Sequence, residues 1–373
     1  MSSEEKGKNM KRKITVLALC SLLVAPCCVV EAQQPSKIPR IGILVSASAS
    51  NATRRVQALQ QGLHQLGYVE GKNIIIEYRY AEGKLEPLTD FADELVRLKF
   101  DVIVAATSVA TQAAKNATKT IPIVFTAAND PLGDGQVASL ARPGGNLTGF
   151  SLLAPELNAK RLELLMEVVP KIARIAFLTR TGTATGEQRF KEAETDAKRL
   201  GLQLQYMEAK NGDDLGRAFE AAKRAGAQAI LAHPSTFIVT NRARIVELAV
   251  KHRLPVIYSG AEHAAAGGLM SYGPDIADNS QRAAVYIDKI LKGAKPADLP
   301  VQQPMKFEFV INLKAAKQIG LTIPQSMLFR GFQAAPRLLR GDAAKSCWWR
   351  AMLACPQGVF GVALRKVRRS KSV

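Results

Sequence analysis

The chain has 373 residues, 47% hydrophobic and 22% charged, an ordinary globular composition long enough for two domains. Its formal net charge of +19 first suggests an acidic partner, but residues 1–13 hold five bases against two acids, and the stretch from Arg330 to the end holds ten bases against one acid. The body between is only modestly basic, which argues against nucleic acid as the partner.

In chain order, Lys11, Arg12 and Lys13 follow Met10, an apolar run extends from Ile14 to Val30, and Val30-Glu31-Ala32 precedes Gln33. This is the pattern of a secretory leader cleaved after Ala32, so residues 1–32 are expected to be removed and the product exported to the periplasm. The apolar run is short for a membrane span and is broken by Pro26. Pro26 before Cys27 also argues against a lipid-anchored cysteine. Either Met1 or Met10 serves as the start. Cys20, Cys27 and Cys28 lie in the leader and Cys347 and Cys355 in the tail, so the body has no disulfide framework, thiol nucleophile or cysteine metal site.

From Pro39 onward, short apolar runs alternate with helical patterns. RIGILVS (Arg40–Ser46), NIIIEYRYAEG, DVIVAAT and IPIVFTA read as strands. RRVQALQQGLHQLGY carries an apolar stripe at Val56, Leu59, Leu63 and Leu66 and stops at Gly67; PLTDFADELVRLKF and SVATQAAKNAT are further helices. A second series follows Leu153, with strands RIAFLTR, LQLQYMEA, AQAILAH and LPVIYSG separated by four-turn helical patterns. Strands alternating with helices predict parallel sheets covered on both faces, in two similar α/β halves. ARPGGNLTGF reads as a turn-rich passage between them. After Gly268 a short strand, one long helix and an extended segment suggest a chain that crosses between the halves more than once.

The usual catalytic signatures are absent. FTAANDPLGDGQVASLARPGGNLTGF lacks both the P-loop and the dinucleotide glycine patterns, and the first strand–helix turn, GILVSASASNATRR, is serine-rich. There is no G-x-S-x-G elbow. His64, His233, His252 and His263 lack metal-site spacing, and neither a cofactor nor a catalytic residue is expected. Position carries more. In open parallel sheets, ligands bind at the carboxyl ends of strands. The residues there are Ser46 and Ser48, Thr107 and Ser108, Asn129 and Asp130, then Arg180 and Thr181, Ser235 and Thr236, and Tyr258. These hold a small polar molecule but supply no nucleophile with its base. Thr107 and Ser108 precede a helix whose free N–H groups favour a carboxylate, Asp130 suits an ammonium, and Tyr258 offers an aromatic contact.

PRIGILVS, LGYVEGKNIIIEYRYAEG, FDVIVAATSVATQAAK, IPIVFTAANDPLGDGQVASLARPGGNLTG and KFEFVINLKAAKQIGLTIPQS together resemble the substrate-binding proteins of ABC importers, in the branch related to tryptophan-binding lipoproteins. The resemblance spans roughly Ile38 to Arg330. It implies a type I periplasmic-binding-protein fold: two Rossmann-like lobes joined by about three crossovers, with a ligand in the cleft. One lobe would comprise residues 38–153 plus about 276–303, the other 154–272 plus about 306–330, with crossovers near Leu153–Pro155, Ser271–Asp275 and Gln302–Phe309. It further implies a monomer that captures an amino acid or similar carboxylate and presents it to a membrane permease with its ATPase. A ligand sensor for a membrane receptor and a small-molecule enzyme share the scaffold. The loop RTGTATG, with Arg180 and Thr181, stands where the family often has an asparagine. The basic, apolar extension 331–373 departs from the family and is expected to be a disordered tail.

Overall fold

The structure, a computed structural model, describes residues 37–180, 184–332 and 362–368. The leader, Thr181 and most of the basic extension lie outside the described residues. Both sheets belong to one unit that begins at Pro39.

The first lobe is built on β1 (Arg40–Val45), β2 (Ile75–Tyr80), β3 (Val102–Ala105), β4 (Ile123–Ala128) and β5 (Leu147–Ser151), all parallel, in the order β2-β1-β3-β4-β5. Helices α1 (Ala49–Gln65), α2 (Glu86–Arg97) and α3 (Ser108–Ala117) make the crossovers. Side chains alternate across a strand, so each run feeds two cores. Ile41, Ile43 and Val45 pack with Leu59 and Leu63 of α1, while Leu44, Ile103 and Ala105 pack with Leu88, Ala92 and Leu95 of α2. Burial on both faces explains why these strands read as continuous apolar runs.

The second lobe carries β6 (Arg174–Arg180), β7 (Gln203–Ala209), β8 (Ala229–Ala232), β9 (Val256–Tyr258), β10 (Met270–Pro274), β11 (Lys306–Asn312) and β12 (Val362–Arg368), in the order β12-β11-β10-β9-β8-β6-β7. Only β11 runs against the others, pairing antiparallel with both β10 and β12. Around them lie α4 (Asn158–Val168), α5 (Ala184–Arg199), α6 (Leu215–Arg224), α7 (Thr236–Thr240), α8 (Arg242–His252) and α9 (Ala261–Ala265). The α/β class with two mainly parallel sheets is the one expected above. Within the basic extension, Val362–Arg368 forms a strand in register with Lys306–Asn312.

The chain leaves the first sheet after Ser151 and enters α4. It returns after Pro274 through α10 (Ile276–Leu291), which packs on α1 of the first lobe. There Gly62 lets the helices touch: a Cβ would lie 2.4 Å from the Gln281 carbonyl oxygen. Gln302 bridges Phe150 before β11 re-enters the second sheet. The first-lobe residue Arg54 reaches into these connections, bonding Asp275 at 3.1 Å and Glu308 at 3.0 Å.

One element corrects the sequence reading. Leu147–Ser151, taken as part of a turn-rich passage, is a fully buried strand. Gly149 fits because a Cβ there would come within 2.0 Å of the Phe125 carbonyl oxygen on β4. The glycine that weakens strand propensity is the residue that permits this close pairing.

Candidate functional site

The carboxyl ends of strands from both lobes face one cavity of about 790 Å³. Ser46, just after β1, is fully buried, and its Oγ lies 3.0 Å from Thr107 Oγ1 and 2.8 Å from Thr236 Oγ1. Thr107 and Ser235 cap α3 and α7, accepting from the Ala110 and Ile238 N–H groups. Ser108 Oγ accepts the Asn129 N–H at 2.8 Å, and Asn129 Nδ2 donates to the Pro234 carbonyl at 2.7 Å. Arg242 of α8 donates to Asn51 Oδ1 of α1 at 2.9 Å. Ser46–Thr236, Asn129–Pro234 and Arg242–Asn51 all join one lobe to the other, so the structure is a closed form.

Charge on the wall is unevenly shared. Arg189 of α5 is 2% exposed and bridges the lobes, bonding Asp130 at 2.8 Å, Asp134 at 2.5 Å and Glu192 of its own helix at 2.8 Å. Burial alone would lower its pKa; the three carboxylates outweigh that and raise it. Burial also lifts Asp134 above the ordinary carboxylate value, although Arg189 opposes it. Half-buried Arg55 donates to the Ala106 carbonyl at 3.0 Å, next to the start of α3. Burial lowers its pKa, with Glu262 opposing. Glu262 is pushed up by burial but brought below its usual value by His263, its own backbone N–H, Arg55 and Arg54. His233, 7% exposed at the cavity wall, is pushed down to about 3, by burial first and then by Arg189 and Arg161. Its ring is therefore neutral at physiological pH. Among the described residues, no group of three His, Cys, Asp or Glu side chains could hold a metal, and no helix is long and apolar enough to cross a membrane.

Residues 40–335 match the family described as ABC transporter substrate binding protein. The chain belongs to that family. It is 27% identical over 287 residues to the tyrosine-binding protein of Clostridioides difficile strain R20291, covering 76% of this chain and 82% of that one. Among solved structures it resembles a conserved domain protein from Vibrio cholerae, with a TM-score of 0.74 and 30% identity over 79% of this chain and 98% of that one. It also resembles the ABC domain in complex with L-Trp from Streptococcus pneumoniae, with a TM-score of 0.73 and 27% identity over 78% of this chain and 97% of that one. The two-lobed architecture is that of type I periplasmic binding proteins.

In this substrate-binding protein, Ser46, Thr107, Ser108, Asn129, Arg180, Ser235 and Thr236 line the cavity. Three other candidates are placed differently. Ser48 caps α1 by accepting from Asn51 N and is not among the lining residues. Asp130 meets Arg189 rather than the open cavity, and its other oxygen accepts the Gly133 N–H at 2.8 Å. Tyr258 is fully buried in the second lobe's core and stacks on His263 with ring centroids 4.8 Å apart. Strand alternation turns it away from the cleft, and Ser259 lines the wall instead. Thr181 lies outside the described residues.

Sequence reasoning missed Arg55, Gln136, Arg189 and Glu262, all of which line the cavity. Each stands on a helix or loop beyond the strand-end positions; Gln136 lies within the segment IPIVFTAANDPLGDGQVASLARPGGNLTG but is not singled out there, and the other three lie outside the segments that carry the family resemblance. Arg189 sits in the polar pattern GEQRFKEAE, where a solvated face is the natural reading.

Proposed function

We propose that the mature chain is an exported solute-binding component of an ABC importer, which captures a small carboxylate-bearing solute, an amino acid or a similar acid, between two closing lobes. One observation carries this reading: strand ends of both lobes, with Ser46, Thr107 and Ser108 on one side and Ser235 and Thr236 on the other, converge on a single cavity. The first turn of α3 presents N–H groups that the helix itself does not use, with the Thr107 and Ser108 hydroxyls and the Arg55 guanidinium alongside. That is a seat for a carboxylate.

Capture follows from linkage. A solute that touches both lobes favours the closed state by its differential contact energy, and the motion is a hinge closure about the connecting segments. A micromolar dissociation constant corresponds to about −8 kcal/mol, within reach of several charge-assisted hydrogen bonds after ordering terms are met. The closed pair of lobes then presents a composite surface to a membrane permease, and the solute leaves chemically unchanged. Relatives described as tyrosine-binding and as complexed with L-Trp support the choice of an amino-acid-like solute.

The test is a thermal-shift screen of metabolites on the chain, followed by calorimetry and mass analysis of the recovered ligand. We expect a stabilising small acid recovered intact. Recovery of a converted product would refute capture without chemistry.

A further inference from the structure

We propose that His233, with Thr179 beside it, reads an uncharged hydrogen-bonding group of the solute, a hydroxyl, phenol or primary amide, at a second subsite apart from the carboxylate seat. The inference rests on the reading of the cavity as the solute site. Among the described residues, the buried polar side chains on the cavity wall are Ser46, Gln136, Thr179, Arg189 and His233. Three of them are committed. Ser46 Oγ meets Thr107 and Thr236, and Arg189 holds three carboxylates. Gln136 Nε2 donates to the Ser108 carbonyl at 3.0 Å, and its Oε1 is sealed from solvent. Thr179, 2% exposed, and His233, 7% exposed, remain. The Thr179 hydroxyl and the His233 ring nitrogens bond to no described residue and are not among the sealed polar atoms, so they open on the cavity.

Strand register puts the two groups on one face. Leu178 of β6 pairs with Ala232 of β8, and the His233 N–H donates to the Leu178 carbonyl at 3.0 Å, so Thr179 and His233 are neighbours at the carboxyl ends of these strands. Phe177 and Leu231 enter one core, and Leu178 and Ala232 enter the other. Alternation returns Thr179 and His233 to the Phe177 side, where the His233 and Phe177 ring centroids lie 5.5 Å apart. The carboxylate seat is close by. The Pro234 carbonyl accepts from Asn129 Nδ2 at 2.7 Å, and the Asn129 N–H donates to Ser108 Oγ at 2.8 Å, at the start of α3. One residue, Asn129, therefore links the two anchors.

A neutral imidazole offers one N–H and one bare nitrogen, and a threonine hydroxyl both donates and accepts. His233 stays neutral at physiological pH, because burial first, then Arg189 and Arg161, oppose its protonation. The pair thus presents donors and acceptors side by side. A carboxylate brings no donor and an ammonium brings no acceptor, whereas a hydroxyl or a primary amide brings both. A methylene in that place would strip water from the two side chains and leave them unpaired. A site built in this way rejects an analogue that lacks the polar group far more strongly than an apolar pocket rejects an added hydroxyl.

The test is calorimetry on the full chain with pairs that differ in one hydrogen-bonding group: L-tyrosine and L-phenylalanine, L-glutamine and L-norleucine, L-threonine and L-valine, 4-hydroxybenzoate and benzoate. In at least one pair the polar member should bind about tenfold or more tightly, and in His233→Phe that gap should fall to about threefold or less. Equal or tighter binding of the apolar member in every pair that binds overturns the proposal and leaves solute capture standing. A gap that survives in a folded His233→Phe overturns it too. Should that variant not fold, imidazole nitrogen NMR of the unaltered chain decides: the polar member should move the His233 ring signals, and unmoved signals overturn the proposal. If no pair binds, the ligand recovered in the metabolite screen takes their place. A recovered ligand without a hydroxyl or amide overturns the proposal, and one that has such a group should lose about tenfold or more in affinity to His233→Phe. No binding in either assay removes the solute reading itself, and this proposal with it.

Discussion

Among single residues, Arg189 and His233 show how burial turns ordinary side chains into sensitive ones. Asp134→Asn takes one of three carboxylates from a buried guanidinium. The expected loss is about 1–3 kcal/mol, the scale of an unpaired buried charge-assisted bond with part of its compensation left in place. A urea midpoint equal to that of the unaltered chain would show that Asp130 and Glu192 suffice. For His233 the sign runs through the unfolded state. Its pKa is about 3 in the fold and about 6.5 in an open chain, so the unfolded chain takes the proton first as pH falls. The neutral ring's contribution is whole above about pH 6.5 and is lost on the way down towards pH 3, by up to about 1.4 kcal/mol per unit. His233→Gln should flatten that part of the stability curve. Denaturation of both chains between about pH 4 and pH 7 checks it, and parallel curves would reject it.

Within elements, period decides what can be read. The apolar run RIGILVS announced a buried strand, whose alternate side chains enter two cores, and PLTDFADELVRLKF announced a helix from Phe91, Leu95 and Leu98, although the face it buries is Leu88, Ala92 and Leu95. β5 was illegible because its sequence, LTGFS after Gly-Gly-Asn, has the composition of a turn. Its strand character comes from pairing with β4, a partner more than twenty positions away in the chain. Gly149→Ala tests this directly. A Cβ 2.0 Å from the Phe125 carbonyl oxygen forces the strands apart, and we expect a loss of about 2 kcal/mol or more by thermal or urea unfolding. A change below about 0.5 kcal/mol would mean that the sheet relaxes around the methyl group.

Across the whole molecule, closure is the property that matters. Asn129 Nδ2 to the Pro234 carbonyl, Ser46 to Thr236, and Arg189 to two first-lobe acids all join the lobes. Arg54 joins α1 to the connecting segments at Asp275 and Glu308. Asn129→Ala removes a cross-lobe bond while leaving each sheet intact. The ligand-free variant should therefore have a larger radius of gyration by small-angle scattering, with solute affinity reduced about threefold to tenfold, for a bond of about 0.5–1.5 kcal/mol. Equal radii and equal affinities would show that this bond does not bias closure.

The order of strands and helices apart from β5, the two-sheet α/β class and the hydroxyl-rich ends of the strands were properties of the amino-acid order, because burial periodicity and cap chemistry act over a few residues. Folding alone determined which way Tyr258 faces, which acids remain open to a solute and what Arg189 holds. Asp134 and Arg189 stand 55 positions apart and come together only when two lobes close. Charge compensation depends on distance in space, and no local pattern of residues encodes that distance.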